Sequence, residues 1–230
     1  MVNVDDYTVE KVQLVDNCRL ATIFARQKEL MDKYHSIEAR SGLMQTDDCP
    51  VDLNDSRGQA RLKDFAWRIT EELGEALEAA NEETPTHCHE EIADALHFLT
   101  EFTILSGLPI SQFPRALGLG LKADRLKYLF DQAPPSNATK YLIREANKRE
   151  LLLATGRVVE FLARTCNCLK NKPWKQSQML TDQLRFYGEL QETWKHFATL
   201  CKCAHITEDH LFNLYFRKSE VNKFRQRSKY

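Results

Sequence analysis

The chain has 230 residues, 43% of them hydrophobic, with 32 basic against 33 acidic side chains and a formal net charge of −1. That is enough apolar material for a substantial core in one domain or two packed lobes, and the near-zero charge argues against nucleic-acid binding driven by the global field. There is no run of about eighteen apolar residues and no basic region leading into an apolar stretch at the N-terminus, and the seven cysteines form no paired framework, so the sequence predicts a soluble, cytoplasmic protein without a membrane span or signal peptide.

Leu20, Ile23, Phe24, Leu30, Met31 and Tyr34 recur at helical spacing and predict a long first helix, with Gln27 on the same stripe. From Ser41 to Gly58 the chain is polar and aperiodic and reads as a loop. Two acidic helices follow. Ile69, Leu73, Ala76 and Leu77 make the apolar stripe of the first, and Ile92, Ala95, Leu96 and Leu99 that of the second, which Gly107 and Pro109 terminate. Glu72 and Glu75 border the first stripe, and nineteen residues after Glu72 the pair Glu91 and Asp94 borders the second. Residues three or four apart share a helix face. Two such helices packed antiparallel across a connector of about ten residues therefore bring four carboxylates around one point. An acidic pair is commonly a solvated face, but acids bordering two apolar stripes point to a shared interhelical site. Carboxylates at that density suit a hard divalent cation, and a cation with open positions can hold phosphates. His87, Cys88 and His89 fall in the connector and read as exposed loop residues.

Residues 109 to 137 read as short helices and turns ending in the breaker Pro134-Pro135-Ser136-Asn137. A second helix pair is predicted from Arg149 to Leu169 and from Thr181 to Cys203. It matches the first pair in outline, with Glu160 set against Glu75, Glu189 against Glu91 and Glu192 against Asp94, but Arg157 stands at the position of Glu72. A cation there spoils a metal site, so the second pair reads as a degenerate repeat that completes the core, although independent hairpins can share this outline by chance. Cys166 with Cys168 and Cys201 with Cys203 could supply four thiolates to zinc, but an antiparallel hairpin holds the two pairs at opposite ends. Alternating β-branched residues are nearly absent, so the predicted fold class is all-α, a multi-helix bundle.

The last sixteen residues carry a further pattern. Lys218, Asn222 and Arg225 are spaced four and three apart and share one face if the helix continues. A basic tail is often only solvated charge; this face could instead neutralise phosphate oxygens while a metal grips the other side.

Taken in order, the Q-x-x-L at Gln27 and Leu30, the E-x-x-E and E-x-x-D pairs, the degenerate second pair and the ending Y-x-x-K-x-x-x-N-x-x-R-Q resemble the dimeric dUTPase and phage dCTPase family of the all-α NTP pyrophosphohydrolases. The resemblance implies one nucleotide pyrophosphohydrolase domain over residues 1–230, with a rigid core at about 10–107, a second helical lobe at about 108–205 and a phosphate-binding motif at 206–230. It implies a homodimer, in the cytoplasm or a host's cytoplasm if phage-encoded, that hydrolyses dUTP or dCTP to the monophosphate and pyrophosphate. Glu72, Glu75, Glu91 and Asp94 match the family's Mg2+ ligands for two or more ions, with Glu72 or Glu75 taking the proton of the attacking water. Lys218, Asn222 and Arg225 match its phosphate contacts, and Gln27 its base-side residue. Met31 stands where the family commonly has an asparagine near the base, Lys229 where a glycine usually precedes the final tyrosine, and Phe65, not Trp67, matches the family's tryptophan ahead of the acidic helix. The alternatives are a housecleaning pyrophosphohydrolase with another base preference and a non-catalytic helical binding protein.

Overall fold

The computed structural model describes residues 12–113, 124–134, 144–171, 176 and 179–227, and every regular element among them is helical, as the sequence predicts. The α-helices are α1 (Arg19–Ser41), α2 (Ser56–Asn81), α3 (Pro85–Leu105), α4 (Arg125–Gln132), α5 (Arg144–Cys168), α6 (Gln183–Cys203) and α7 (Glu208–Arg227). None of the described helices is long and apolar enough to cross a membrane.

Local chemistry sets the ends of the two helices that carry the acids. Asp55 caps α2 by accepting from the backbone N–H groups of Arg57 and Gly58, each at 3.0 Å, which satisfies two otherwise orphaned donors. Gly58 is required beside it, because a Cβ there would lie 2.6 Å from the Asp52 carbonyl oxygen. Between α2 and α3 the connector is only residues 82–84, far shorter than the sequence suggested, with Glu83 in the left-handed region at φ 61 and Pro85 at the first helical position. Proline is pre-organised there, so the polar His87-Cys88-His89 stretch is helical and not an exposed loop. Cys88 is buried in the core, and His89 Nε2 lies 2.8 Å from the Ala204 carbonyl; only His87 remains largely exposed.

Two antiparallel hairpins make the body of the bundle. In the first, α2 packs along α3 through Leu62, Ile69 and Leu73 against Ile92, Leu96 and Leu99, all buried. In the second, α5 packs along α6, with Phe161 stacked on His196 and the hydroxyls of Thr165 and Thr193 3.5 Å apart. The hairpins meet where α2 lies on α5, while α1 and α7 cover α3 and α4 covers α6. Trp194 sits at the centre beside Phe24, Phe113 and Phe197, and its indole N–H donates to Thr103 Oγ1 at 3.0 Å. Gln59 ties the hairpins together, donating to the Leu53 carbonyl at 2.8 Å and accepting from the Asn171 N–H at 2.9 Å.

The three acids of the second hairpin that were set against Glu75, Glu91 and Asp94 are each matched by a basic side chain. Glu160 is held by Arg157 at 2.6 Å and Arg164 at 2.7 Å, Glu189 faces Arg185 at 3.6 Å, and Glu192 pairs with Lys195. Paired in this way, those three acids are less available to a cation.

Candidate active site

Glu72 from α2 and Glu91 and Asp94 from α3 converge so that one carboxylate oxygen from each lies within 4.8 Å of the others. Among the described residues it is the one group of acids, histidines or cysteines with the geometry of a metal site. The apolar stripes of the hairpin produce it: burying Ile69 and Leu73 against Ile92 and Leu96 turns the bordering acids toward one another at the edge of the contact. Burial first, then the charge of Asp94 and the hydrogen bond and charge of Glu91, with Glu75 adding more, push the Glu72 carboxyl up to about 8. Acids held this close disfavour one another's ionised forms, and the hard oxygen donors left there are the kind that a divalent cation takes.

Glu75 is exposed and lies outside that cluster, one turn along α2 from Glu72. Lys218 reaches in from α7. It is 6% exposed, with Nζ 2.6 Å from Asp94 Oδ2 and 3.8 Å from Glu90 Oε2. Burial opposes its charge, yet Asp94, Glu91 and Glu90 outweigh that and raise its pKa above the ordinary lysine value. On the other flank His87 Nδ1 stands 3.0 Å from Glu91 Oε1. Asn222, partly buried, is one turn beyond Lys218; Arg225 lies further along α7, with its side chain outside the described residues. The terminal motif is no loose tail as far as Val221, since Tyr215, Phe216, Ser219 and Val221 are all buried.

Gln27 is 4% exposed and joins three buried groups. Its Nε2 donates to Glu101 Oε2 at 2.9 Å, and its Oε1 accepts from the Tyr215 hydroxyl at 2.8 Å and lies 2.9 Å from His97 Nδ1. His97 stacks on Tyr215 with ring centroids 4.0 Å apart. Burial pushes the His97 pKa down to about 3 against a smaller upward pull from the Tyr215 backbone, so the ring is neutral. Burial raises the Glu101 carboxyl to about 7; Glu38 adds to this, while the Gln27 hydrogen bond and then Arg61 and Arg68 pull the other way. Sequence reasoning passed over His97 and Glu101, although Asp94, His97 and Glu101 are spaced three and four apart and so share one face of α3.

Between the end of α1 and α2, with Arg68 one helical turn before Glu72, opens a cavity of about 320 Å³ lined in part by Glu38, Arg61, Phe65 and Arg68. The Arg68 guanidinium lies 4.6 Å from the Phe65 ring centroid and is held by Asp64 at 2.8 Å and Glu38 at 3.2 Å. Trp67 is 63% exposed, and its indole N–H donates to Glu71 at 2.7 Å, so Phe65 is the aromatic ring that α2 turns toward the cavity.

A family model described as dUTPase matches residues 19–230, which takes in every helix from α1 to α7. Comparison with curated proteins and with solved structures gives no match.

Proposed function

Since the chain belongs to the dUTPase family, we propose that it hydrolyses a pyrimidine deoxynucleoside triphosphate, dUTP or dCTP, to the monophosphate and pyrophosphate with the help of Mg2+. The observation that carries this reading is the convergence of Glu72, Glu91 and Asp94 within 4.8 Å, with the Lys218 ammonium 2.6 Å from Asp94. Those three carboxylates would hold magnesium, with Glu75 at the exposed edge available to a further ion. Bound there, magnesium would draw charge from the phosphate oxygens and make a water more acidic.

The side chains of the chain supply the rest. Glu72 or Glu75 takes the proton of the attacking water. Lys218, exchanging its carboxylate partners for phosphate oxygens, offsets the charge that develops on them together with Arg225, while Asn222 donates a hydrogen bond. Gln27 stands on the base side, and the cavity beside Phe65 and Arg68 has the volume for a nucleoside. A homodimer and a cytoplasmic location belong to the same reading.

Met31, where the family commonly has asparagine, favours one second reading, a housecleaning enzyme of the same chemistry with another base preference. A panel of deoxynucleoside and ribonucleoside triphosphates incubated with magnesium, with products resolved by chromatography, tests both. Turnover of dUTP or dCTP above all others supports the main reading; preference for a different base moves the assignment to the second. Absence of turnover across the panel leaves a helical binding protein.

A further inference from the structure

An amide side chain has an oxygen end that only accepts and a nitrogen end that only donates, so a buried glutamine can be set in two ways that its neighbours decide between. For Gln27 those neighbours are Glu101 on one side and Tyr215 and His97 on the other. In the first setting Nε2 donates to Glu101, and Oε1 accepts from the Tyr215 hydroxyl and from a proton on His97 Nδ1. In the reverse setting Oε1 faces Glu101, which must then be protonated in order to donate, and Nε2 faces His97 Nδ1, which must then be bare. The imidazole proton moves to Nε2 in that case. His97 Nε2 is buried without a hydrogen-bond partner of good geometry among the described residues, and the Tyr215 backbone gives the ring only a smaller pull, so a proton there is a poorly matched buried donor, which is costly. An ionised Glu101 only accepts and is incompatible with the reverse setting altogether.

We infer that Glu101 is a positioning residue for base recognition: its carboxylate locks the Gln27 amide in the first setting and thereby keeps the His97 proton on Nδ1. The inference rests on the reading of Gln27 as the base-side residue. Locked in this way, Gln27 has its Oε1 accepting from His97 Nδ1 and from the Tyr215 hydroxyl, which it shares with the Ile23 carbonyl at 3.3 Å, and one N–H committed to Glu101. Its one remaining valence is the second N–H, a donor, so the atom of the base that meets it must be an acceptor, a carbonyl oxygen or an unprotonated ring nitrogen, and an exocyclic amino group is refused at that point. The charged groups around Glu101 are Glu38 from α1, which disfavours its ionised form, and Arg61 and Arg68 from α2, which favour it. Arg61 and Arg68 are themselves tied to Glu38, at 3.3 and 3.2 Å. The carboxyl is therefore ionised on the alkaline side of neutrality, where the lock holds.

Glu101→Gln tests this, because a glutamine at 101 can either accept or donate and so permits both settings. The first readout is the tautomer of His97 in 15N-labelled protein at pH 8.5, read from long-range 1H–15N correlations and assigned by their loss in His97→Gln. Wild type should carry the proton on Nδ1 alone, and Glu101→Gln should show the Nε2–H form as well. A proton on Nε2 in wild type, or Nδ1–H alone in Glu101→Gln, overturns the inference. The second readout is the ratio of kcat/KM for dUTP and dCTP, which should shrink by about tenfold in Glu101→Gln, through KM more than kcat. Glu101→Asp, which keeps the acceptor, should retain most of it. An equal loss on both nucleotides would leave Glu101 a structural role only and overturn the recognition half. If wild type cleaves neither nucleotide, the functional reading and the recognition half fall together, while the tautomer still decides whether the amide is locked.

Discussion

Lys218 occupies the position where the account is most exposed to test. Its ammonium is buried against Asp94 at 2.6 Å, with Glu90 at 3.8 Å, and Glu72 and Glu91 complete the acidic surround. Lys218→Met keeps most of the length and the apolar character of the stem and removes the charged ammonium. Removing the cation of a buried ion pair costs about 3–5 kcal/mol; the Asp94 side chain is 22% exposed, which puts the expected value near the lower end of that range. For a chain of this size each 1 kcal/mol shifts Tm by about 2–4 °C, so a fall of roughly 6–12 °C is expected without metal. Magnesium should recover much of that loss in the variant, since a cation on Asp94 replaces the missing one, and should raise the variant's Tm more than the wild type's. Turnover should nevertheless stay low, by about 2 kcal/mol or some thirtyfold in kcat/KM, because the ammonium is also the phosphate contact. Thermal melts with magnesium and with chelator, beside steady-state kinetics, separate these effects. A variant whose Tm is unchanged in chelator, or falls equally with and without magnesium, would refute the reasoning.

The Glu101 carboxyl is raised by burial from 4.5 to about 7, so its neutral form stabilises the fold fully below about pH 4.5, and that contribution is lost as pH rises through about 7. Wild type should therefore lose stability relative to Glu101→Gln between pH 5 and pH 8, and melts of both proteins across that range check the sign. Gly58→Ala should destabilise by about 1–3 kcal/mol, since the new Cβ meets the Asp52 carbonyl oxygen at 2.6 Å and backbone must shift. Gly156→Ala, in α5 with nothing within 4 Å of the added carbon, should stabilise by about 1 kcal/mol through helix propensity alone. Denaturant melts of the two variants, run together, distinguish steric from conformational causes.

The helices and the acidic hairpin were legible because both follow from local spacing: the stripes that bury Leu73 and Leu96 also fix which way Glu72 and Asp94 turn. The start of α3 was not, because the polarity of His87 and His89 masks a helix that Pro85 can open and Cys88 anchors. The pairing of Lys218 with Asp94 joins α7 to α3 across more than half the chain, and no spacing rule reaches that far. Glu101 is the instructive omission. A glutamate in the apolar second half of α3 looks like an outward-facing charge, and its position one turn past His97 carries meaning only once α1 brings Gln27 against the same face. Glu75 marks the opposite limit, a motif residue that the sequence grouped with three others and that stands exposed beside their cluster.

The central claim is that nucleotide hydrolysis takes place at Glu72, Glu91 and Asp94. The rate of dUMP and dCMP formation from dUTP and dCTP in magnesium, compared between wild type and Glu91→Gln, tests it most directly, with circular dichroism confirming that the variant is folded. The account predicts a loss of at least about a thousandfold, since Glu91, the buried member of the three-carboxylate site, becomes neutral. Turnover of the folded variant within a few-fold of wild type would contradict it and move the chemistry elsewhere in the molecule.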